Sequence, residues 1–334
     1  MSAKRRCFDE KRVADSIKEL QREFSGNSFH LHTYMGVYEI RDRDEAVSIM
    51  VDKANIAADT IKNNYDCCVA YYDEHLLEIS IEQRRLLGEF EPALQNDEFV
   101  MYLQPQVKRD GAAKGAEALV RWVHPSRGIL TPYAFIDILE NAGLIYKLDL
   151  YIWEKAAQKL AEWKEKGYGS YHISVNISTK DFYIIDIYET FTGLINKYGI
   201  AASNLHLEIT ETTLMTDFEK NMNIIHKLQG VGFRVEIDDF GSGYSSLNML
   251  KDISADVLKI DMGFLRKSEN EVKGQDILES IITLAGKIGM DVITEGVETK
   301  KQLDMLTMMG CHEFQGYYFS KPVPVSEFEE KYLV

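Results

Sequence analysis

No stretch of this 334-residue chain approaches the roughly 20 consecutive apolar residues of a membrane span. The start, Met1-Ser-Ala-Lys-Arg-Arg6, is charged and has no apolar segment behind it, so it does not read as an export signal. Cysteine is scarce. Cys7, Cys67, Cys68 and Cys311 have no metal-ligand spacing, and the adjacent Cys67-Cys68 makes a poor disulfide framework. They suit buried or free thiols in a reducing compartment, so the expected location is cytoplasmic. Positive charge is also short: 38 Lys and Arg stand against 53 Asp and Glu, for a net charge of -15. That balance argues against an electrostatic grip on long nucleic acid. It leaves room for a small phosphate ligand, because cations held by carboxylates reverse the sign of the local field. Low-complexity tracts and short-period repeats are missing as well. A hydrophobic content of 45% is ample for a globular core, and the length suits one large domain plus a smaller unit.

The smaller unit comes first. Val13, Ala14, Ile17, Leu20 and Phe24 recur at helical spacing, Phe29–Ile40 alternates like a strand, Asp44–Lys62 is an amphipathic helix, and Tyr65–Tyr72 is a second strand. Residues 1–75 thus predict a small α+β unit, too small for a robust core of its own. Asp73 to about Asn96 is rich in Glu, Arg and Leu without a Gly-rich or Pro-rich break, which predicts a semi-rigid helical linker over 76–90. From residue 91 to 334, strand-like and helix-like segments alternate. Strands are expected at Phe99–Gln104, Ala116–Arg121, His172–Asn176, Leu205–Ile209, Arg234–Ile237, Val257–Ile260, Asp291–Thr294 and near Glu313–Gln315. Helices are expected at Pro132–Asn141, Asp149–Lys166, Thr179–Tyr198, Asp217–Gly230, Lys273–Ile288 and Lys300–Met309. Eight strands separated by helices predict an α/β fold of the TIM-type (β/α)8 barrel class.

Polar residues gather where these strands end. Glu117 lies in the second strand, with Leu119 and Arg121 on its face by the period of two. Asn176, Glu208, the doublet Asp238-Asp239, Lys259 with Asp261, Glu295 and Gln315 close the later strands. In a barrel these ends converge on one face. Each residue alone has an ordinary account, as an edge charge, a cap or a surface lysine. A whole series of apolar strands that finish on acids does not. Such hard oxygen donors suit Mg²⁺ or Mn²⁺, and two neighbouring carboxylates suit two divalent ions clamping a phosphoryl displacement. The loop Gly241-Ser-Gly-Tyr-Ser-Ser246 could order around a substrate. His124 and His312 lack partners at ligand spacing and read as packing or loop residues.

These residues resemble the EAL-domain family of cyclic di-GMP phosphodiesterases. The likeness runs from about Leu87 to the C-terminus. It is carried by Glu117-Ala-Leu-Val-Arg-Trp-Val-His-Pro125, Ser174-Val-Asn-Ile-Ser178, Leu207-Glu-Ile-Thr-Glu211 and Asp238-Asp-Phe-Gly-Ser-Gly-Tyr-Ser-Ser246. Leu258-Lys-Ile-Asp261, Glu295-Gly-Val-Glu-Thr299 and Gln315-Gly-Tyr-Tyr-Phe-Ser-Lys-Pro322 complete it. The resemblance implies that Glu117, Asn176, Glu208 and Asp238 hold one metal ion, and that Asp238 bridges to a second held by Asp239 and, directly or through water, by Glu295. It implies that Lys259 holds the nucleophilic water, with Glu295 as secondary base. Gln104, Leu119, Arg121 and Gln315 would contact cyclic di-GMP. Glu211 would anchor the loop after Asp239, and Glu298 would support the far end of the site. Ser242, Thr294 and Met262-Gly263 depart from common family residues, and none removes a ligand.

Residues 1–75 resemble, more weakly, the C-terminal half of a GGDEF domain without its signature hairpin. The missing half, and a sensor or membrane part, would precede residue 1 in a longer protein. Unpaired edges of the two early strands, and the association of EAL barrels near the loop after Asp239, imply a homodimer. Two rival readings stand beside the hydrolase. One is a cyclic di-GMP receptor without turnover, which would tend to have lost the ligand set. The other is a two-carboxylate glycosidase, which would need no metal.

Overall fold

The structure, a computed structural model, describes residues 10–24, 33–62, 67–240, 253–261, 263 and 271–333. The chain divides into two compact units, Met1–Glu89 and Phe90–Val334. The first has helices Glu10–Phe24 (α1) and Val47–Asp59 (α2) and two short parallel strands, Met35–Val37 (β1) and Val69–Tyr71 (β2), paired as Met35↔Val69. The strands are shorter than their alternation predicts, and residues 25–32 and 63–66 lie outside the described set. Ile17, Cys68 and Val69 form its small core, with Val13, Ala14 and Val37 packed against them. Gly36 lets the sheet and α2 touch, because a Cβ there would sit 1.7 Å from the Ala54 carbonyl oxygen. A long helix, Glu74–Gln95 (α3), follows.

The second unit is a closed ring of eight strands. Phe99–Lys108 (β3), Ala113–His124 (β4), His172–Ile177 (β5), Leu205–Thr210 (β6), Val235–Phe240 (β7), Val257–Asp261 (β8), Asp291–Glu295 (β9) and Glu313–Phe314 (β10) pair in that order, and β10 closes onto β3. Among the described residues, the predicted alternation of strand and helix fails between β3 and β4. β3 and β4 form a hairpin, from Phe99↔Trp122 to Val107↔Ala113, so β3 runs antiparallel to both neighbours. The cause is local: Asp110-Gly111, with Gly111 at φ +84°, makes the turn, and the Lys108 N–H closes it on the Ala112 carbonyl at 3.0 Å.

The other strands of the ring run parallel, and helices cross between most of them. Ile145–Glu165 (α4) packs on β5. Its Trp153 packs at a tilt against Phe191, ring centres 4.5 Å apart, and donates its indole N–H to the Asn176 carbonyl at 2.9 Å. The helix predicted over Thr179–Tyr198 is two helices, Asp181–Ile184 and Ile187–Tyr198. Ile185 is extended, and Asp186 caps the second by accepting the Glu189 N–H at 3.0 Å. Among the described residues, two helices are not expected from the sequence, Glu211–Thr216 (α5) and Val325–Tyr332. Thr210 caps α5, accepting from the Thr213 N–H.

Candidate functional site

Inward-facing side chains of the parallel strands converge on Lys259 of β8, which is fully buried. Its Nζ lies 2.8 Å from Glu295 Oε1, 2.9 Å from Glu208 Oε2, 3.4 Å from Asp238 Oδ1 and 3.5 Å from Glu117 Oε2. Burial alone would strip Lys259 of its proton. The carboxylates of Asp238, Glu117, Glu208 and Glu295 outweigh burial and hold its pKa well above the ordinary lysine value. The ammonium is therefore permanent. One ammonium cannot satisfy four acids. Burial, and then the charge of Glu117, push Glu208 well above the carboxylate range, and burial pushes Glu295 up to about 8.

Asp239 joins this group through a backbone irregularity. Strand pairing runs Ile237↔Leu258 and then Phe240↔Ile260, so the two residues Asp238-Asp239 stand opposite the single Lys259. That bulge coincides with a left-handed backbone at Asp239, φ +56°. Strict alternation would send the two neighbouring carboxylates to opposite faces of the sheet. The bulge re-aims the second one, and oxygens of Asp238, Asp239 and Glu295 lie within 4.8 Å of one another. Burial, and then the charge of Asp238, raise Asp239 too.

Glu117 is held by amides. Asn176 Nδ2 donates to its Oε1 at 3.2 Å, and Gln315 Nε2 donates to its Oε2 at 2.5 Å and to Gln104 Oε1 at 3.3 Å. Gln104 Nε2 in turn reaches the Ser320 carbonyl at 3.4 Å. Arg121 lies with its guanidinium 5.4 Å from the Tyr102 ring centre, and partial burial lowers its pKa. Leu119 lines a cavity of about 410 Å³ beside Asn176, walled by Pro132, Ile136 and Ile145 with Asp149 at its polar side. Glu211 opens α5 and Glu298 lies exposed ahead of helix Lys300–Met308. Neither is one of the four acids around Lys259. The loop 241–252 and Met262 fall outside the described residues.

A second polar layer lies one pleat below, and the sequence reading missed it. His206 Nδ1 donates to Glu236 Oε1 at 2.6 Å, and the His206 ring stacks on His172 at 3.8 Å and 4°. His172 Nε2 donates to Gln106 Oε1 at 2.7 Å, and Gln106 Nε2 reaches Ser174 Oγ at 3.3 Å. Gly115 makes room, since a Cβ there would lie 2.4 Å from the His172 ring. Burial would raise Glu236, but the hydrogen bond and charge of His206 hold it down at about 2. Burial, and then His206, drive His172 well below the ordinary histidine value. A ligand atom from each of His172, His206 and Glu236 lies within 4.8 Å of the others, but rings stacked at 4° keep their in-plane lone pairs in separate parallel planes, which disfavours a shared ion. The missed signal was the period of two: His206-Leu-Glu208 and Glu236-Ile-Asp238 put each lower residue on the same face as an upper one.

The EAL domain model matches residues 88–322. This chain belongs to the EAL domain family. It is 32% identical over 272 residues to the bifunctional diguanylate cyclase/cyclic di-GMP phosphodiesterase MucR of Pseudomonas aeruginosa, covering 81% of this chain and 39% of that one. It is 33% identical over 240 residues to the cyclic di-GMP phosphodiesterase PdeR of Escherichia coli, covering 72% of this chain and 36% of PdeR. The chain spans less than half the length of these curated relatives. Among solved structures, the MucR phosphodiesterase in complex with c-di-GMP superposes with a TM-score of 0.69 at 33% identity, over 73% of this chain and 99% of that one. The EAL enzyme Bd1971, in a form with cAMP and cyclic di-GMP bound, also gives 0.69, at 31% identity over 75% of this chain and 69% of that one.

Proposed function

We propose that this chain hydrolyses cyclic di-GMP to linear 5′-pGpG with the help of two divalent cations, Mg²⁺ or Mn²⁺. The observation that carries the reading is the excess of acid around one buried ammonium at the strand ends. Both Glu208 oxygens and Asp238 Oδ1 are buried without a hydrogen bond among the described residues, although Lys259 lies within ion-pair distance. Such donors fit hard divalent ions. Glu117, Asn176, Glu208 and Asp238 would hold one, and Asp238, Asp239 and Glu295 the other. When bound, the ions make water nucleophilic near neutral pH and neutralise charge on the phosphate.

The protein's own groups do the rest. The Lys259 ammonium, fixed by four acids, orients the attacking water through a permanent charge. Glu295 would take the water's proton as a secondary base, in the ionised form that a bound cation favours. Arg121, with Tyr102 beneath it, meets the phosphate, and Gln104 and Gln315 align the sugar-phosphate ring. The cavity beside Leu119 has room for a purine base. Glu211 holds the loop after Asp239, and Glu298 supports the Glu295 side. The first unit reads as the later half of a GGDEF-like domain, and the whole as a cytoplasmic homodimer. The test is incubation with cyclic di-GMP and Mg²⁺ or Mn²⁺, with and without EDTA, products being resolved by chromatography. Metal-dependent 5′-pGpG supports the reading. Tight binding without cleavage makes the chain a receptor, and cleavage indifferent to EDTA removes the cations from the mechanism.

A further inference from the structure

We propose that the buried His206–Glu236 pair is a positioning element that fixes the spacing of Glu208 and Asp238 and so sets the affinity of the barrel mouth for divalent cations. This inference rests on the reading that Glu208 and Asp238 hold metal.

Three observations carry it. The first is register. His206 stands two residues before Glu208 on β6, and Glu236 two residues before Asp238 on β7, so each lies about 6–7 Å below a mouth acid on the same face. Ser174 stands in the same relation to Asn176, and Gly115 to Glu117. The two strands that carry Glu208 and Asp238 are joined by their main-chain ladder, with Glu208 opposite Glu236 and Thr210 opposite Asp238, and the 2.6 Å bond from His206 to Glu236 adds a side-chain link between them on the inner face.

The second is cost. Glu236 is fully buried and His206 is 4% exposed. A buried polar pair is usually no more stabilising than apolar side chains of the same volume, and barrel interiors are ordinarily filled by Val, Ile and Leu. Stability alone gives no reason for this pair to be here. The third is the state of the acids above. Neither Glu208 oxygen has a hydrogen bond among the described residues. Apart from its ion pair with Lys259 at 2.9 Å, the lateral position of Glu208 is thus set by its strand and by what braces that strand from below. Gln106 extends the brace across the ring, bonding His172 and Ser174 of β5 from β3.

The experiment is a calorimetric Mn²⁺ titration of the full chain, with the melting temperature of the metal-free protein read on the same samples. Three proteins are compared: the unmodified chain, Glu236→Gln, and the double variant His206→Leu/Glu236→Leu. Glu236→Gln keeps an acceptor for His206 and should bind Mn²⁺ within about twofold of the unmodified chain. The double variant removes the tether and should melt no lower, yet bind Mn²⁺ about tenfold or more weakly, as when outer partners of metal ligands are removed. That split between stability and affinity is the signature of positioning. If the double variant does not fold, Glu236→Ser, too short to reach His206, takes its place with the same expected loss. Unchanged affinity in the tether-less variant overturns the inference alone. Equal losses in Glu236→Gln and the tether-less variant also overturn it, because charge and not the tether would then be responsible. An unmodified chain that takes up no Mn²⁺ overturns the functional reading and this inference with it.

Discussion

Two layers of the barrel interior, one pleat apart, use the same chemistry to opposite ends. In the lower layer one acid meets one imidazole, Glu236 with His206, and His172, Gln106 and Ser174 are bonded to one another, so that Glu236 Oε2 alone of that group is buried without a hydrogen bond among the described residues. In the upper layer Glu117, Glu208, Asp238 and Glu295 crowd a single Lys259, with Asp239 brought beside them by a bulge. Matched buried charge is compatible with a structural role. Unmatched buried charge costs stability that a retained proton or a bound cation returns. The contrast assigns chemistry to the upper layer and support to the lower.

The largest expected effect comes from removing a mouth acid. Glu117→Ala or Asp238→Ala should lower hydrolysis at least about a thousandfold, about 4 kcal/mol of activation free energy, in a turnover assay. The circular dichroism and melting of the metal-free protein should stay largely intact, since the mouth has acid to spare. Full activity in either variant would erase the distinction between the layers.

Lys259→Ala separates compensation from ligation. Losing the ammonium leaves four buried acids facing one another, so the metal-free protein should lose about 3 kcal/mol of stability in denaturant titrations. Saturating Mn²⁺ should restore part of it. Cyclic di-GMP should still bind by calorimetry, while turnover falls about a hundredfold. Lost affinity with an unchanged saturated rate would move Lys259 into substrate binding.

A pH series sharpens the comparison more gently. Glu295 titrates at about 8 in the fold against 4.5 when unfolded, and Glu208 and Asp239 are shifted the same way. Groups raised by folding keep protons that the unfolded chain has released. Their contribution to stability is full below about pH 4.5 and is lost as pH rises toward 8. The melting temperature of the metal-free protein should therefore fall between pH 5 and 8, and saturating Mg²⁺ should flatten that slope. A slope unaffected by Mg²⁺ would separate the acids from the cations. The smallest effect is expected at Glu211. Glu211→Ala should weaken Mn²⁺ binding only a few-fold and raise the dimer dissociation constant in sedimentation. Normal values for both reduce Glu211 to the first residue of α5.

The barrel and most of its mouth were legible because acids at the ends of apolar strands have few explanations. Asp238-Asp239, Glu208 and Glu295 stood out against Val, Ile and Leu on either side. The antiparallel β3 was not legible from strand and helix alternation, although Asp110-Gly111 carried the hairpin signal. His206 and Glu236 were passed over because a polar residue inside a strand looks like a solvent-facing one until the ring closes around it. The bulge at Asp238 could not be read at all, since nothing in the local sequence says which residue faces Lys259. A single period-of-two rule places the first acid of the doublet, and only the pairing register places the second.

The most direct measurement is diffraction at the manganese absorption edge from crystals grown with Mn²⁺ and cyclic di-GMP. Two anomalous peaks about 4 Å apart are expected in the mouth. One should touch Glu117, Asn176, Glu208 and Asp238, and the other Asp238, Asp239 and Glu295, with no peak among His172, His206 and Glu236. A mouth without manganese, or a peak in the lower layer, would contradict this assignment.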